Sequence, residues 1–210
     1  MIKVLVVDDH AIIRKGLKQI LEDTDDMRVT GEADCGMQAL QMIEAEPFEL
    51  VLLDISLPDK HGCDVLKQIK ASHPQLSVLM LSMHAEDQYA VRAMKIGASG
   101  YLNKQSAPAQ LVEAIRQVSK GKKYISNELA QQLAEGLSEG FQELSHQTLS
   151  NREYQTLCLL ASGKKLSEMA EIMCLSTKTV SVYRARLLEK MKLKNNAEAI
   201  QYAISNHLLG

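Results

Sequence analysis

Residues 2–10 read IKVLVVDDH, an apolar run centred on Val4–Val7 that ends in two adjacent acids, Asp8 and Asp9. A short run of branched aliphatic residues without polar alternation is the signature of a strand covered on both faces. Outward from it, Ile13, Leu17, Ile20 and Leu21 fall on one helical face, and Val29 lies in a second, weaker run. Further apolar runs follow at Leu50–Leu53, Val78–Leu81 and Gly100–Leu102, separated by segments of helical period near 63–72 and 86–97. At 106–120, Leu111, Ala114, Ile115 and Val118 share a face. The pattern is five βα units in about 121 residues, an α/β domain built on a parallel sheet.

Beyond Gly121 the strand pattern stops. Leu129, Leu133 and Leu137 recur every four residues and predict an amphipathic linker helix. The following stretch, GLSEGFQELSHQT at 136–148, has no clear period. From Leu149 onward the chain reads as short helices joined by Gly, Ser and Asn, the first opening with Ser150 and Glu153 in capping-box spacing. The expected organisation is a first domain over 1–122, a linker over 123–147 and an all-α domain over 148–210.

The whole chain of 210 residues carries 24 Lys and Arg against 26 Asp and Glu, a net charge of −2. That near-neutral total conceals a division: residues 1–144 sum to −6 and residues 145–210 to +4. The four cysteines, Cys35, Cys63, Cys158 and Cys174, lie far apart without metal-ligand spacing and read as reduced core thiols. No stretch approaches the roughly 20 apolar residues of a membrane span, and the N-terminus lacks the features of a signal peptide. The expected compartment is the cytoplasm, with no membrane partner.

In an open parallel sheet, ligands bind outside the carboxyl ends of the strands. Here those ends carry reactive residues: Asp8 and Asp9 after the first strand, Asp54 on the third, Ser82 on the fourth and Lys104 just after the fifth. One Asp at a strand end is ordinarily a turn former. Three carboxylates converging on one point repel each other, and a hard divalent cation, Mg2+, is the least costly remedy. It would engage Asp9 and Asp54, with the backbone carbonyl of Ser56 as a further ligand. A carboxylate beside a cation and the ammonium of Lys104 can act as nucleophile toward an activated phosphoryl group, giving an acyl phosphate. Ser82 offers a hydroxyl to a phosphoryl oxygen.

These residues, in VVDDH, LLDISLPDKHG, LSMH and GASGYLNK, resemble the receiver domain of two-component response regulators over residues 2–121. The resemblance implies a flavodoxin-like fold with a five-stranded parallel sheet in the order 2-1-3-4-5. It further implies that Asp54 accepts phosphate from a sensor histidine kinase, that Asp8 and Asp9 help hold Mg2+, and that Ser82 and Tyr101 reorient on phosphorylation. The sequence departs from the common pattern at Gln105, where many receivers have Pro, and at Met83, where some relatives have a small residue. Ser56 and His84 stand at positions that tune dephosphorylation in this family.

In the second domain, Leu166–Met173 has helical period, Cys174 and Leu175 read as a turn, and Ser176 begins a polar-headed helix. Helix, tight turn and second helix form a DNA-binding arrangement. Residues 178–194 hold Lys178, Arg184, Arg186, Lys190, Lys192 and Lys194 against Glu189 alone, which suits phosphate contacts. Residues 149–204 are similar to the LuxR-type helix-turn-helix, and the two domains together resemble the NarL/FixJ class of transcription factors. The resemblance implies four helices, the third in the major groove and the fourth, about 196–206, available for pairing. Thr179, Ser181 and Val182 are expected near base edges, with Lys178, Arg184, Arg186 and Lys190 at phosphates or guanine. Tyr183 replaces a common His and Ser181 a common Lys.

The resulting expectation is a regulator that is not a conventional enzyme. Phosphorylation of Asp54 favours a homodimer that binds double-stranded promoter DNA and acts with RNA polymerase. Two alternatives compete with it. An aspartyl-phosphate phosphatase would carry a second Asp two residues after the nucleophile, where this chain has Ser56. DNA binding independent of phosphorylation would leave the acceptor set without a purpose.

Overall fold

The computed structural model describes residues 1–83, 86–126, 130–131, 145–206 and 208. Its chain divides into two compact units, Met1–Ala130 and Gln131–Gly210.

The first unit is a five-stranded parallel sheet in the order 2-1-3-4-5, as the sequence resemblance implies. Its strands are β1 (Ile2–Val7), β2 (Met27–Ala33), β3 (Leu50–Asp54), β4 (Ser77–Ser82) and β5 (Gly100–Asn103). Helices α1 (Ala11–Glu22), α2 (Gly36–Ala45), α3 (Gly62–Ser72), α4 (Glu86–Ile96) and α5 (Pro108–Ser119) alternate with them. Topology explains the strength of each sequence signal. Strands β1 and β3 are interior, so Val4–Val7 and Leu50–Leu53 are all buried and neither run alternates. Strand β2 is at the edge, with Met27, Val29 and Ala33 buried while Arg28 and Thr30 are exposed, which is why its run is the weakest.

Helices α1 and α5 pack together, and α2, α3 and α4 form a second series of neighbours. On the α5 side, Leu111, Ala114, Ile115 and Val118 join Val4, Val6, Leu50, Leu52, Leu79 and Leu81 in one core. Helix α5 starts at Pro108 rather than 106, because the fixed φ of proline suits a first helical turn. Helix α2 has no capping side chain at Cys35; Asp59 supplies the cap instead, accepting the Gly36 and Met37 N–H groups at 2.8 Å each. Those backbone donors hold the Asp59 carboxyl below its ordinary pKa although burial acts in the opposite direction.

The second unit contains a 3-10 turn (Ser145–Thr148), then α6 (Asn151–Ala161), α7 (Leu166–Ile172), α8 (Thr177–Lys190) and α9 (Asn196–Ser205). The expected capping box is present: Ser150 accepts the Glu153 N–H at 3.4 Å and Glu153 accepts the Ser150 N–H at 2.8 Å. Helix α6 is buried along most of its length and contacts each of the other three. Between α7 and α8 the chain turns at Cys174, whose φ is 53°. Cys174 N–H bonds to Glu171 and Leu175 N–H to Ala170, the paired arrangement in which a left-handed residue ends a helix.

The cysteine expectation needs correcting on this point. Cys63 and Cys158 are buried, but Cys35, at the N-cap of α2, is only partly so, and Cys174, in the turn between α7 and α8, is exposed. Burial pushes the Cys63 thiol up to about 12, so it stays protonated. The leucines of the expected linker helix, Leu129, Leu133 and Leu137, and also His84, lie outside the described residues. Among the described residues, no helix is long and apolar enough to cross a membrane.

Candidate functional site

The strand order places β1 beside β3, with Val7 paired to Leu53, so the residues that follow each strand emerge side by side. Asp8 is fully buried; its N–H bonds to the Ala33 carbonyl at 3.1 Å, and its own carbonyl accepts Arg14 Nη1 at 2.6 Å. Asp54 is nearly as buried. From the other side of β3, β4 and β5 bring Lys104 in: its N–H bonds to the Ser82 carbonyl at 2.7 Å. The Lys104 Nζ then lies 2.6 Å from Asp8 Oδ2 and 2.7 Å from Asp54 Oδ2. One ammonium therefore bridges two buried carboxylates.

The electrostatics follow from that ratio. Burial pushes the Asp54 carboxyl up to about 6; Lys104 opposes the rise and the neighbouring Asp8 adds to it, while the Ser56 N–H favours the ionised form. Burial alone would make Lys104 a weaker base, but the two carboxylates outweigh it and raise its pKa. Asp9 is partly exposed at the rim, and His10 Nδ1 lies 2.7 Å from Asp9 Oδ1 and 3.2 Å from Asp8 Oδ1.

Asp8, Asp9, His10 and Asp54 each offer a ligand atom, all within 4.8 Å of one another. Three of these donors are carboxylates, and Lys104 offsets only part of their charge, so the set fits a hard divalent cation such as Mg2+. An acidic cluster of this composition is typical of the receiver Mg2+ site. Ser82 and Tyr101 occur on adjacent strands, both buried.

Three residues of this site were not singled out from sequence. His10 belongs to the donor set, with only its adjacency to Asp8 and Asp9 as a signal. Gly62 supports Asp54 from below: a Cβ there would lie 2.2 Å from the Asp54 carbonyl, and its N–H bonds to Ile55 at 2.7 Å. Only glycine fits so close a backbone approach. Asp59 ties the same loop to α2 through the cap described above.

The second candidate surface is α8. Ser176 caps it, accepting the Thr179 N–H at 3.1 Å. Val180 and Leu187 are buried and fix which side faces the domain. Lys178, Val182 and Arg186, spaced four apart, form an exposed row, flanked by the half-buried Thr179 and Ser181. Arg184 is also half-buried, and its Nε is enclosed without a hydrogen-bond partner. Lys190 differs from the rest: its Nζ lies 2.7 Å from Glu153 Oε2.

Comparison with known proteins gives the same division. The family model described as the response regulator receiver domain matches residues 4–116, and that of bacterial regulatory proteins of the luxR family matches residues 147–203. The chain is similar to response regulator UvrY of Escherichia coli, 37% identical over 209 residues, covering 99% of this chain and 96% of that protein. It is 36% identical over 213 residues to response regulator GacA of Pseudomonas aeruginosa, covering 100% and 98%. Among solved structures, RcsB from Salmonella enterica serovar Typhimurium bound to promoter rprA with the phosphomimetic BeF3 superposes with a TM-score of 0.62. It is 26% identical and covers 96% of this chain and 97% of that one. Another RcsB structure, TM-score 0.61 and 26% identical, covering 97% and 98%, shows two dimers on two parallel DNAs.

Proposed function

The chain belongs to the two-component response regulators that join a receiver domain to a LuxR-type DNA-binding domain, and from that premise we propose that phosphorylation of Asp54 governs its binding to promoter DNA. Members of this family are regulators rather than conventional enzymes, which removes the phosphatase alternative. The observation that carries the reading is the bridge from Lys104 to Asp8 and Asp54 at the ends of adjacent strands.

The donor is the phosphohistidine of a sensor histidine kinase. An Asp54 oxygen attacks phosphorus, the P–N bond breaks, the imidazole leaves with the electron pair and an acyl phosphate remains. Asp8, Asp9 and Asp54, with the Ser56 carbonyl, would hold Mg2+, which when bound offsets charge on the phosphoryl oxygens. Lys104 supplies the fixed positive charge and Ser82 a hydroxyl donor to a phosphoryl oxygen. Tyr101 reorients with Ser82 and completes the switch.

Phosphorylation then favours a homodimer whose α8 helices enter the major groove of a two-fold symmetric promoter site in the cytoplasm. Lys178, Arg184 and Arg186 meet phosphates or guanine, and Thr179, Ser181 and Val182 face base edges; Lys190 is the basic residue whose charge Glu153 holds. RNA polymerase is the downstream partner. The domains in this reading are 1–122, the linker 123–147 and 148–210.

The test is transfer of labelled phosphate from acetyl phosphate, paired with a gel shift before and after labelling. Asp54→Asn should take up no label and show no phosphorylation-dependent shift. Wild-type labelling of that variant would overturn the acceptor assignment. An equal shift of the wild-type chain with and without acetyl phosphate would favour DNA binding independent of phosphorylation.

A further inference from the structure

Lys190 is the last residue of α8, and Glu153 lies 37 positions earlier in the first turn of α6. Their 2.7 Å contact ties the end of one helix to the start of another. The two partners are unequal: the Glu153 side chain is only 3% exposed, whereas that of Lys190 is 44% exposed. The same Glu153 Oε2 accepts the Ser150 N–H at 2.8 Å, so the carboxylate is held from the α6 side before the lysine reaches it.

Helix geometry separates Lys190 from Lys178 and Arg186, the exposed basic residues earlier in α8. At about 1.5 Å per residue it lies roughly 18 Å along the axis from Lys178, while it is the first residues of such a helix that meet base edges. At about 100° per residue, Val182 and Arg186 lie roughly 40° and 80° from Lys178, and Lys190 about 120°, turned toward the buried face marked by Val180 and Leu187.

We propose that Glu153 is a positioning residue for DNA binding: by holding Lys190 it fixes the C-terminal end of α8 against α6, so that the Lys190 charge is satisfied within the domain and not by a DNA phosphate. The inference rests on the reading that α8 meets DNA. It divides the basic run 178–194 into residues that touch the nucleic acid and one that aims the helix carrying them.

The distinction is readable in salt dependence, because each phosphate contact contributes about 0.9 to the slope of log K against log salt. The probe is a duplex selected from a random-sequence pool by the full wild-type chain, with affinity followed by fluorescence anisotropy over a KCl series. Lys190→Met should lower affinity about fivefold, as expected for loss of roughly 1 kcal/mol of positioning, and leave the slope unchanged. Arg186→Met should lower the slope by about 0.9. Glu153→Gln, which keeps an oxygen for the Ser150 N–H, should behave like Lys190→Met, and Lys190→Arg should behave like wild type.

A slope lowered by Lys190→Met, or an affinity it leaves untouched, overturns the proposal while leaving α8 as the DNA helix. A slope that neither Arg186→Met nor Lys178→Met moves overturns that underlying reading and the proposal with it. Because Lys190→Met alters a half-exposed side chain, the proposal stays testable even if Glu153→Gln does not fold.

Discussion

Two lysine–carboxylate pairs, one in each unit, close to the same distance of 2.7 Å and yet differ in electrostatic outcome. In the receiver, Asp54 is pushed up to about 6 by burial, which Lys104 opposes and the like charge of the neighbouring Asp8 reinforces. In the DNA-binding domain, burial also disfavours the Glu153 anion. There, however, the Lys190 hydrogen bond and the donors of Ser150 outweigh it and hold the carboxyl below its usual value. Pair distance does not set the outcome; the weight of burial against the donors and opposite charges that offset it does. Glu153 has its own backbone donor and a lysine to itself, so its charge is already answered within the fold. The receiver cluster retains surplus negative charge at a strand-end opening, as a site that takes up a cation and then a phosphoryl group requires.

The largest test of that difference is removal of each lysine. Lys104→Met leaves Asp8 and Asp54 without their shared cation and removes a preorganised charge from the phosphoryl site. The rate of labelling by acetyl phosphate should fall about 100-fold or more, the scale for deleting one such group. Lys190→Met should leave that rate unchanged. Equal effects would mean that the two pairs do not differ in kind.

The next effect is smaller and concerns rigidity beneath the acceptor. Gly62→Ala places a Cβ 2.2 Å from the Asp54 carbonyl, where backbone and not a flexible side chain must move. A loss of about 3 kcal/mol is expected in urea unfolding of the receiver. Gly16→Ala is the control, since nothing lies within 4 Å of its added Cβ and it sits inside α1. That change should be neutral or stabilising by up to about 1 kcal/mol. A tolerated Gly62→Ala would show that the backbone below Asp54 gives way to an added Cβ.

How far each pair was legible in the sequence follows from the same contrast. Asp8, Asp54 and Lys104 are readable because a parallel sheet brings successive strand ends to one edge, so order along the chain becomes proximity in space. The continuous runs of β1 and β3 announce interior strands for the same reason. The pair Glu153–Lys190 was not readable as a pair. Glu153 was visible as half of a capping box and Lys190 as part of a basic run, but no local period records that α6 and α8 meet. The cap that Asp59 gives α2 is hidden likewise, since it crosses 23 positions and stands in for a capping side chain that Cys35 does not supply. The reason for Gly62 is also a through-space one. Sequence pattern reports which face is buried; it does not report which distant partner answers a given polar atom.

The smallest effect, and the sharpest in sign, is pH dependence in the absence of divalent cations. The Asp54 carboxyl rises from 3.8 to about 6 on folding, so between those values the folded receiver binds more protons than the unfolded chain. The stabilisation this represents is present below about pH 4 and is lost as pH rises through 6. Glu153 goes the other way: its folded value lies below the ordinary 4.5, so its contribution is present above that pH and is lost as pH falls. Urea midpoints can be followed separately through methyl NMR signals, Val51 for the receiver and Leu187 for the DNA-binding domain. The wild type should lose stability relative to Asp54→Asn as pH rises from 4 to 6, and gain it relative to Glu153→Gln as pH rises through 4.5. Parallel slopes would erase the contrast, because they would mean that folding shifts the Asp54 and Glu153 carboxyls in the same direction.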